Sequence, residues 1–440
     1  MKTKLSFLLV SIALLIGCQV SEPAYLTLTE TNFDKVSASG NTLTVKVKSN
    51  DSWVVSSNNP EWCKPNKSSG SNNEDLNITI SKNTTLYQRA ATITIATNNI
   101  KQKVIITQSG GSLPTGELEK YHYQIPVIFH ALYKDQNDSQ QYINKGRVKE
   151  IIDACNAYYK GLSGTNSEDI NIEFVLATLD PSGNVLEEPG IERINWTESE
   201  IDCEAFMKSK EDKYVDLIWD PDRYVNIMLY SFKQKTDAKG TTLGVSHLPY
   251  TVAPLKLGGL NQLSYMPTAK NLSYPHCVSI NNKFIYSKAT IEGRSYNSTD
   301  VIATLSHELG HYLGLHHIFS EPEAGDGCED TDFCEDTPTY DRDAYENWFS
   351  NEYRPLNGVK ITFDDLPFLM KRRDCLRNTQ STPNNVMDYS YSYANRFTPE
   401  QNARIRFVLQ HSPFVPGPKA PNTTSRTVPN RQEFPIQVKI

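Results

Sequence analysis

The chain has 440 residues, enough for two or three domains with cores of their own. A formal net charge of −7 and a pI near 5.8 argue against nucleic acid as a partner. A hydrophobic content of 38% and 23 tyrosines fit a soluble protein that works outside the cytoplasm.

Residues 1–18 read as a targeting segment. Lys2 and Lys4 form a basic start, and Leu5 to Ile16 are apolar but too short to span a bilayer. Leu15-Ile16-Gly17-Cys18 resembles a bacterial lipobox, in which Cys18 is lipidated and becomes the first residue of the lipoprotein; a plain secretory signal peptide is the alternative. Lipidation implies export to the outer membrane of a Gram-negative bacterium, with an acyl membrane anchor and the rest of the chain facing solvent. Seven cysteines follow Cys18, so at least one stays outside any disulfide.

Residues 24–110 carry an all-β pattern. Thr42 to Val47, Leu76 to Ile80 and Ala91 to Ile95 alternate strictly, and Val104 to Gln108 closes the set. Polar clusters such as Lys67 to Asn73 read as turns. About seven short strands predict an immunoglobulin-like β-sandwich. Trp53, Trp62-Cys63, Arg89-Ala90-Ala91 and Ile106-Thr107-Gln108 resemble a BACON module. That resemblance implies a glycan- or mucin-binding domain, while tryptophans packed inside a small sandwich would make it a spacer.

A Gly- and Ser-rich linker occupies residues 111–120, and an α/β unit is expected over 121–412. Tyr123 to His130 reads as a strand whose Pro126 favours its start or an edge. Val148, Ile151, Ile152, Cys155, Tyr158 and Tyr159 fall at helical spacing, and Ile172 to Ala177 and Tyr224 to Tyr230 read as further strands. His130 is expected in the core. Gly244 to Pro249 and Val278 to Ile280 are expected at the edge of a cleft, with His247 on a solvent-exposed loop.

Ser306 to Phe319 contains His307, Glu308, His311, Gly314 and His317 in the pattern H-E-x-x-H-x-x-G-x-x-H, a zinc-protease signature. Residues four apart on a helix share a face about 6 Å along the axis, so His307 and His311 can hold one zinc ion. Glu308 can reach a zinc-bound water without ligating the metal. Gly314 permits the helix to stop in a left-handed conformation, and the turn returns His317 as third ligand with a fourth position open. His316 competes by residue type, but the spacing selects His317. Ser298, Thr299 or Asp300 is expected to cap this helix.

Clustered acids from Glu329 to Asp336 make either a calcium loop or a solvated one. Tyr340 to Arg373 reads as a polar and aromatic insertion. Asn385-Val386-Met387-Asp388-Tyr389 supplies the downstream methionine turn of a metzincin, with Met387 as an apolar floor beneath the metal. Thr398-Pro399-Glu400-Gln401 is a capping box opening a helix, and the six prolines of residues 413–440 predict an extended tail.

From about Tyr121 to Gln410 the chain resembles the pappalysin family of metzincins, through His307 to His317, Gly327-Cys328, Asp336-Thr337-Pro338 and Asn385 to Tyr389. The resemblance implies zinc on His307, His311 and His317, Glu308 as general base, and Tyr389 as a stabiliser of the tetrahedral intermediate. It also implies a Cys328–Cys375 disulfide, and makes Asp336 and Thr337 candidate Ca²⁺ ligands. The expected activity is hydrolysis of protein or peptide substrates. The rival reading is a surface binding lipoprotein whose protease unit is vestigial, which intact ligands and an intact Glu308 disfavour.

Overall fold

The computed structural model describes residues 23–83, 89–111, 115–234, 241–288, 290–291, 294–295, 300–321, 328–353, 362–389, 391–420 and 432–439. Cys18, Ser298 and Thr299 lie outside the described residues. The chain divides into two compact units: residues up to Phe33 with Asn41–Ser81 and Ala91–Ile106, and the remainder.

The N-terminal region folds into nine strands, two more than the sequence pattern predicts. They are β1 (Leu26–Leu28), β2 (Asn32–Val36), β3 (Asn41–Ser49), β4 (Ser52–Ser57), β5 (Cys63–Pro65), β6 (Ser69–Ser71), β7 (Glu74–Ile80), β8 (Arg89–Ala96) and β9 (Lys101–Gln108). One sheet has the order β1-β3-β7-β5 and the other β2-β9-β8-β4-β6. Alternation puts Leu43, Val45 and Val47 of β3 and Leu76, Ile78 and Ile80 of β7 on the buried face. The stretch expected as a turn holds β6, because Gly70 pairs with Trp53 across the ladder. A Cβ on Gly70 would lie 2.3 Å from the Trp53 ring, so only glycine lets the indole cross there. Trp53 is 1% exposed and donates its ring N–H to Asn72 O at 3.1 Å; it is a core residue.

The second unit is built on a seven-stranded sheet. Its strands are β10 (Tyr123–Tyr133), β11 (Ile172–Leu176), β12 (Ile191–Asn195), β13 (Val225–Tyr230), β14 (Gly244–His247), β15 (Val278–Asn281) and β16 (Val438–Lys439). The order is β11-β10-β13-β15-β14-β16, with β12 beside the far end of β10. β10, β13 and β15 run parallel, β14 is antiparallel to β15, and β16 is antiparallel to β14 and so runs in the direction of the first three. All six residues of β13 are buried, as the uninterrupted apolar run of a strand covered on both faces requires. Pro126 is in a central strand, not at an edge. It is tolerated because pairing with β13 starts at Val127, so a missing N–H leaves no bond unmade on that side.

Helix α1 (Arg147–Tyr159) packs on β11 and on α2 (Val301–Tyr312), which lies against β14 and β15. Ile151, Ile152, Cys155, Leu305, Leu309 and Tyr312 join one apolar core. His130 is buried in that sheet, 2.5 Å from Glu192 Oε1 and 2.8 Å from Asn226 Oδ1. The insertion carries α3 (Arg342–Trp348), and the last helix is α4 (Pro399–His411), with the Thr398–Gln401 capping box in place.

Two further expectations are corrected in this unit. His247 is fully buried in β14, where Cys277 N–H donates to its Nδ1 at 3.1 Å and its Nε2–H donates to Met207 O at 2.9 Å. The tail past residue 412 is mostly irregular but not free: Phe414, Val415, Ala420 and Phe434 are buried, and β16 covers the edge of β14. Among the described residues no helix is long and apolar enough to cross a membrane.

Candidate metal centre

Asp300 begins α2 by accepting the Ile302 N–H on its side chain at 2.7 Å, satisfying a backbone group the first turn leaves open. The helix then carries His307 and His311 to the same face and ends at Leu313. Gly314 follows with φ of 93°, the left-handed region where a side chain is strained, and its Cβ would also meet Val408 at 2.7 Å. Arg404 of α4 donates to the Gly314 carbonyl at 3.0 Å, fixing the turn that returns His317.

The three imidazoles converge. The ligand atoms of His307, His311 and His317 lie within 4.8 Å of one another. His311 Nε2 and His317 Nε2 are 3.0 Å apart. Each Nδ1 is 2.8 Å from an oxygen: Val386 O for His307, Leu315 O for His311 and Glu321 Oε1 for His317. Oxygen acceptors require the proton on Nδ1, which turns three Nε2 lone pairs inward. Burial pushes the His307 pKa down to about 4 and those of His311 and His317 well below the ordinary value, so all three are neutral near pH 7. His307 Nε2 is a buried atom without a hydrogen-bond partner, as is Glu308 Oε2. Neutral nitrogens aimed at one point, one of them orphaned, fit a divalent metal such as zinc.

Glu308 is 3% exposed, and burial raises its pKa well above the ordinary carboxylate range. Gly244 of β14 lies against its side chain. Met387 is fully buried, with its sulfur against Gly310 on the underside of α2. Its turn is held by Ile318 N–H donating to Met387 O at 3.3 Å and by Asn385, whose amide pairs twice with that of Gln401. Tyr389 stands beside the cluster, its ring centre 4.5 Å from that of His317 and 5.3 Å from that of His307. The Arg342 guanidinium lies 4.9 Å from the Tyr389 ring centre.

His316 is buried but points away, its ring against Phe333. Cys328 and Cys375 form a disulfide with Cα atoms 6.0 Å apart, and Cys334 is a buried free thiol. Asp336 Oδ2 accepts the Glu400 N–H at 2.9 Å, and Thr337 Oγ1 donates to Asp332 Oδ2 at 2.7 Å. Residues outside the motifs also shape the site. Glu321, four residues past His317, and Gly244, some sixty residues before Glu308, were not singled out by spacing. A carboxylate close behind a ligand histidine is a weak local signal for the first; the second begins the stretch expected at the cleft edge, but nothing local marks its contact with Glu308.

Residues 208–410 match the family model of pregnancy-associated plasma protein-A, peptidase M43. Residues 51–109 match BACON, described as an N-terminal binding domain. The chain joins a BACON domain to a pappalysin domain. The pappalysin domain is similar to proteins named extracellular metalloprotease. That of Arthroderma benhamiae is 26% identical over 199 residues, 44% of this chain and 58% of the relative. One from Trichophyton verrucosum matches to the same extent, and one from Arthroderma otae is 31% identical over 117 residues, covering 26% and 34%. The chain thus spans little more than half the length of the first two relatives and about a third of the last. The M43 match and the three-histidine cluster together imply zinc.

Proposed function

We propose that the protein is an exported zinc endopeptidase of the metzincin class, tethered to the outer membrane through Cys18. The observation that carries the enzymatic part is the set of three inward Nε2 atoms beside the orphaned Glu308 Oε2. His307, His311 and His317 would hold the ion. Zinc supplies Lewis acidity when bound, acidifying water and polarising a peptide carbonyl. Glu308, kept at a raised pKa by burial, takes a proton from the attacking water and returns it to the leaving amine. The Tyr389 hydroxyl donates to the oxyanion as it forms. Met387 keeps the floor apolar, and the Nδ1 acceptors hold each ligand ring in one tautomer.

The acyl anchor rests on the lipobox, and calcium at Asp336 and Thr337 rests on the resemblance to pappalysins. The BACON domain acts as a spacer, a reading supported by the burial of Trp53; glycan binding would have to use other side chains. Zinc content and casein cleavage of residues 19–440, beside a Glu308→Ala variant, test the central reading. Wild type with about one zinc and turnover, against a variant with zinc and no turnover, supports it. A wild-type chain without zinc sinks it.

A further inference from the structure

β16 is only two residues long, yet the segment leading into it is held throughout. Gln432 N–H donates to Asn271 O at 2.9 Å, and Ser273 Oγ donates to Gln432 O at 2.8 Å. Phe434 is buried in a cluster with Tyr250, Leu263, Leu272, Tyr274 and Phe414. Asn261 donates its side-chain amide to Pro435 O at 3.0 Å and its backbone N–H to Gln437 Oε1 at 3.0 Å. Leu248 N–H then donates to Gln437 O at 3.1 Å, after which Val438 and Lys439 pair antiparallel with His247 and Ser246.

The segment runs toward the metal centre. Its partner strand continues from Ser246 back to Gly244, which abuts Glu308. At the end of β16 the Lys439 ammonium pairs with Glu321 Oε2, while Glu321 Oε1 accepts from His317. A peptide adding a strand to this sheet needs the same outward N–H and C=O groups of β14 that β16 uses. A strand antiparallel to β14, with its C-terminal end at the metal, has the polarity of the substrate residues that precede the scissile bond.

Resting on the protease reading, we propose that Gln432–Lys439 occupies the substrate-strand site on the outer edge of β14. Glu321 is the residue that accepts a basic side chain there. A cation collected by three imidazoles repels an ammonium, and the Glu321 carboxylate offsets that repulsion, so the site selects lysine or arginine close before the cleaved bond. An incoming peptide binds only the fraction of molecules whose segment has left, which raises KM and leaves kcat unchanged.

The test compares the full chain, a chain ending at Arg431 and a Lys439→Glu variant, each zinc-loaded, on fluorescein-labelled casein. A second arm measures binding of a labelled peptide of residues 431–440 by anisotropy, with Glu308→Ala in both the full and the shortened chain. Truncation is expected to lower KM at least about ten-fold at constant kcat, equivalent to about 1.4 kcal/mol of released competition. Lys439→Glu gives a smaller fall in the same direction. The peptide binds the shortened chain, binds less with glutamate at position 439, and does not bind the full chain. An unchanged KM in a shortened chain with native thermal unfolding overturns the proposal, as does failure of the peptide to bind. If the shortened chain does not fold, an unchanged KM for Lys439→Glu overturns it. If no form cleaves casein, the protease reading fails and the binding arm alone decides occupancy.

Discussion

Gly244 and Glu308 touch so closely that a methyl group at residue 244 would lie 2.6 Å from Glu308 Cγ and 2.7 Å from its Oε1. The backbone of β14 therefore forms one wall against the carboxylate, and no larger residue fits without moving it. Gly244→Ala should shift the carboxylate by a fraction of an ångström to about 1 Å. Misplacement of that size costs about 10²-fold in turnover. Zinc content should stay at the wild-type level, since no ligand moves. A variant with wild-type kcat would show that the wall does not position the base.

Glu321 reaches the metal centre through His317 Nδ1 at 2.8 Å. It holds the ring orientation and raises the basicity of Nε2, and removal of such a partner typically costs 10–100-fold in metal affinity. Glu321→Gln should weaken zinc by about that factor, read by competition with a chromophoric chelator. Equal affinity in the variant would mean that packing against Phe319, stacked on His317 with ring centres 4.6 Å apart, suffices to hold the ring.

The Cys328–Cys375 bridge closes a stretch with a sequence separation of 47 that contains α3 and the aromatic insertion. Loop-closure entropy gives such a bridge up to ~4 kcal/mol of stability in the chain-entropy treatment. Cys328→Ser with Cys375→Ser should lower the unfolding midpoint in urea accordingly. An unchanged midpoint would show that the loop is held by its own packing, as by Arg372 stacked 3.6 Å from the Tyr345 ring centre.

His247 links stability to pH. Burial pushes its pKa down to about 4, while the hydrogen bond to the Met207 carbonyl acts the other way. In the unfolded chain the same ring titrates near 6.5. Between these values the unfolded state holds a proton that the folded state lacks, so folding stability falls as pH drops from about 6.5 toward about 4. The full difference is about 3 kcal/mol for one proton. Urea unfolding of metal-free protein from pH 7 to 4 should show this slope, and His247→Asn should flatten it. An identical slope in the variant would assign the effect to other buried histidines.

The parts of this protein legible in its sequence are those set by local geometry. Helical spacing alone brings His307 and His311 to one face, and Gly314 is needed wherever the backbone must take φ of 93°. Capping at Thr398 reads directly because a short polar side chain meets an open N–H three residues on, whereas for the zinc helix the sequence offers Ser298, Thr299 or Asp300 and the structure shows Asp300 capping Ile302. The fully apolar run of β13 and the alternation of β3 likewise state which faces are covered.

The tertiary structure decided what depends on residues far apart in the chain. Val386 O, 79 residues from His307, fixes the ring tautomer through a backbone carbonyl that carries no sequence signature. His247 reads as an exposed loop residue until β15 and β16 flank its strand on both sides. The pairing of Val438 and Lys439 with β14 is invisible to periodicity, because two residues form no pattern. Such contacts are chosen by which sheet edge is open and what apolar pocket lies beside it, and both exist only once the rest of the chain has folded.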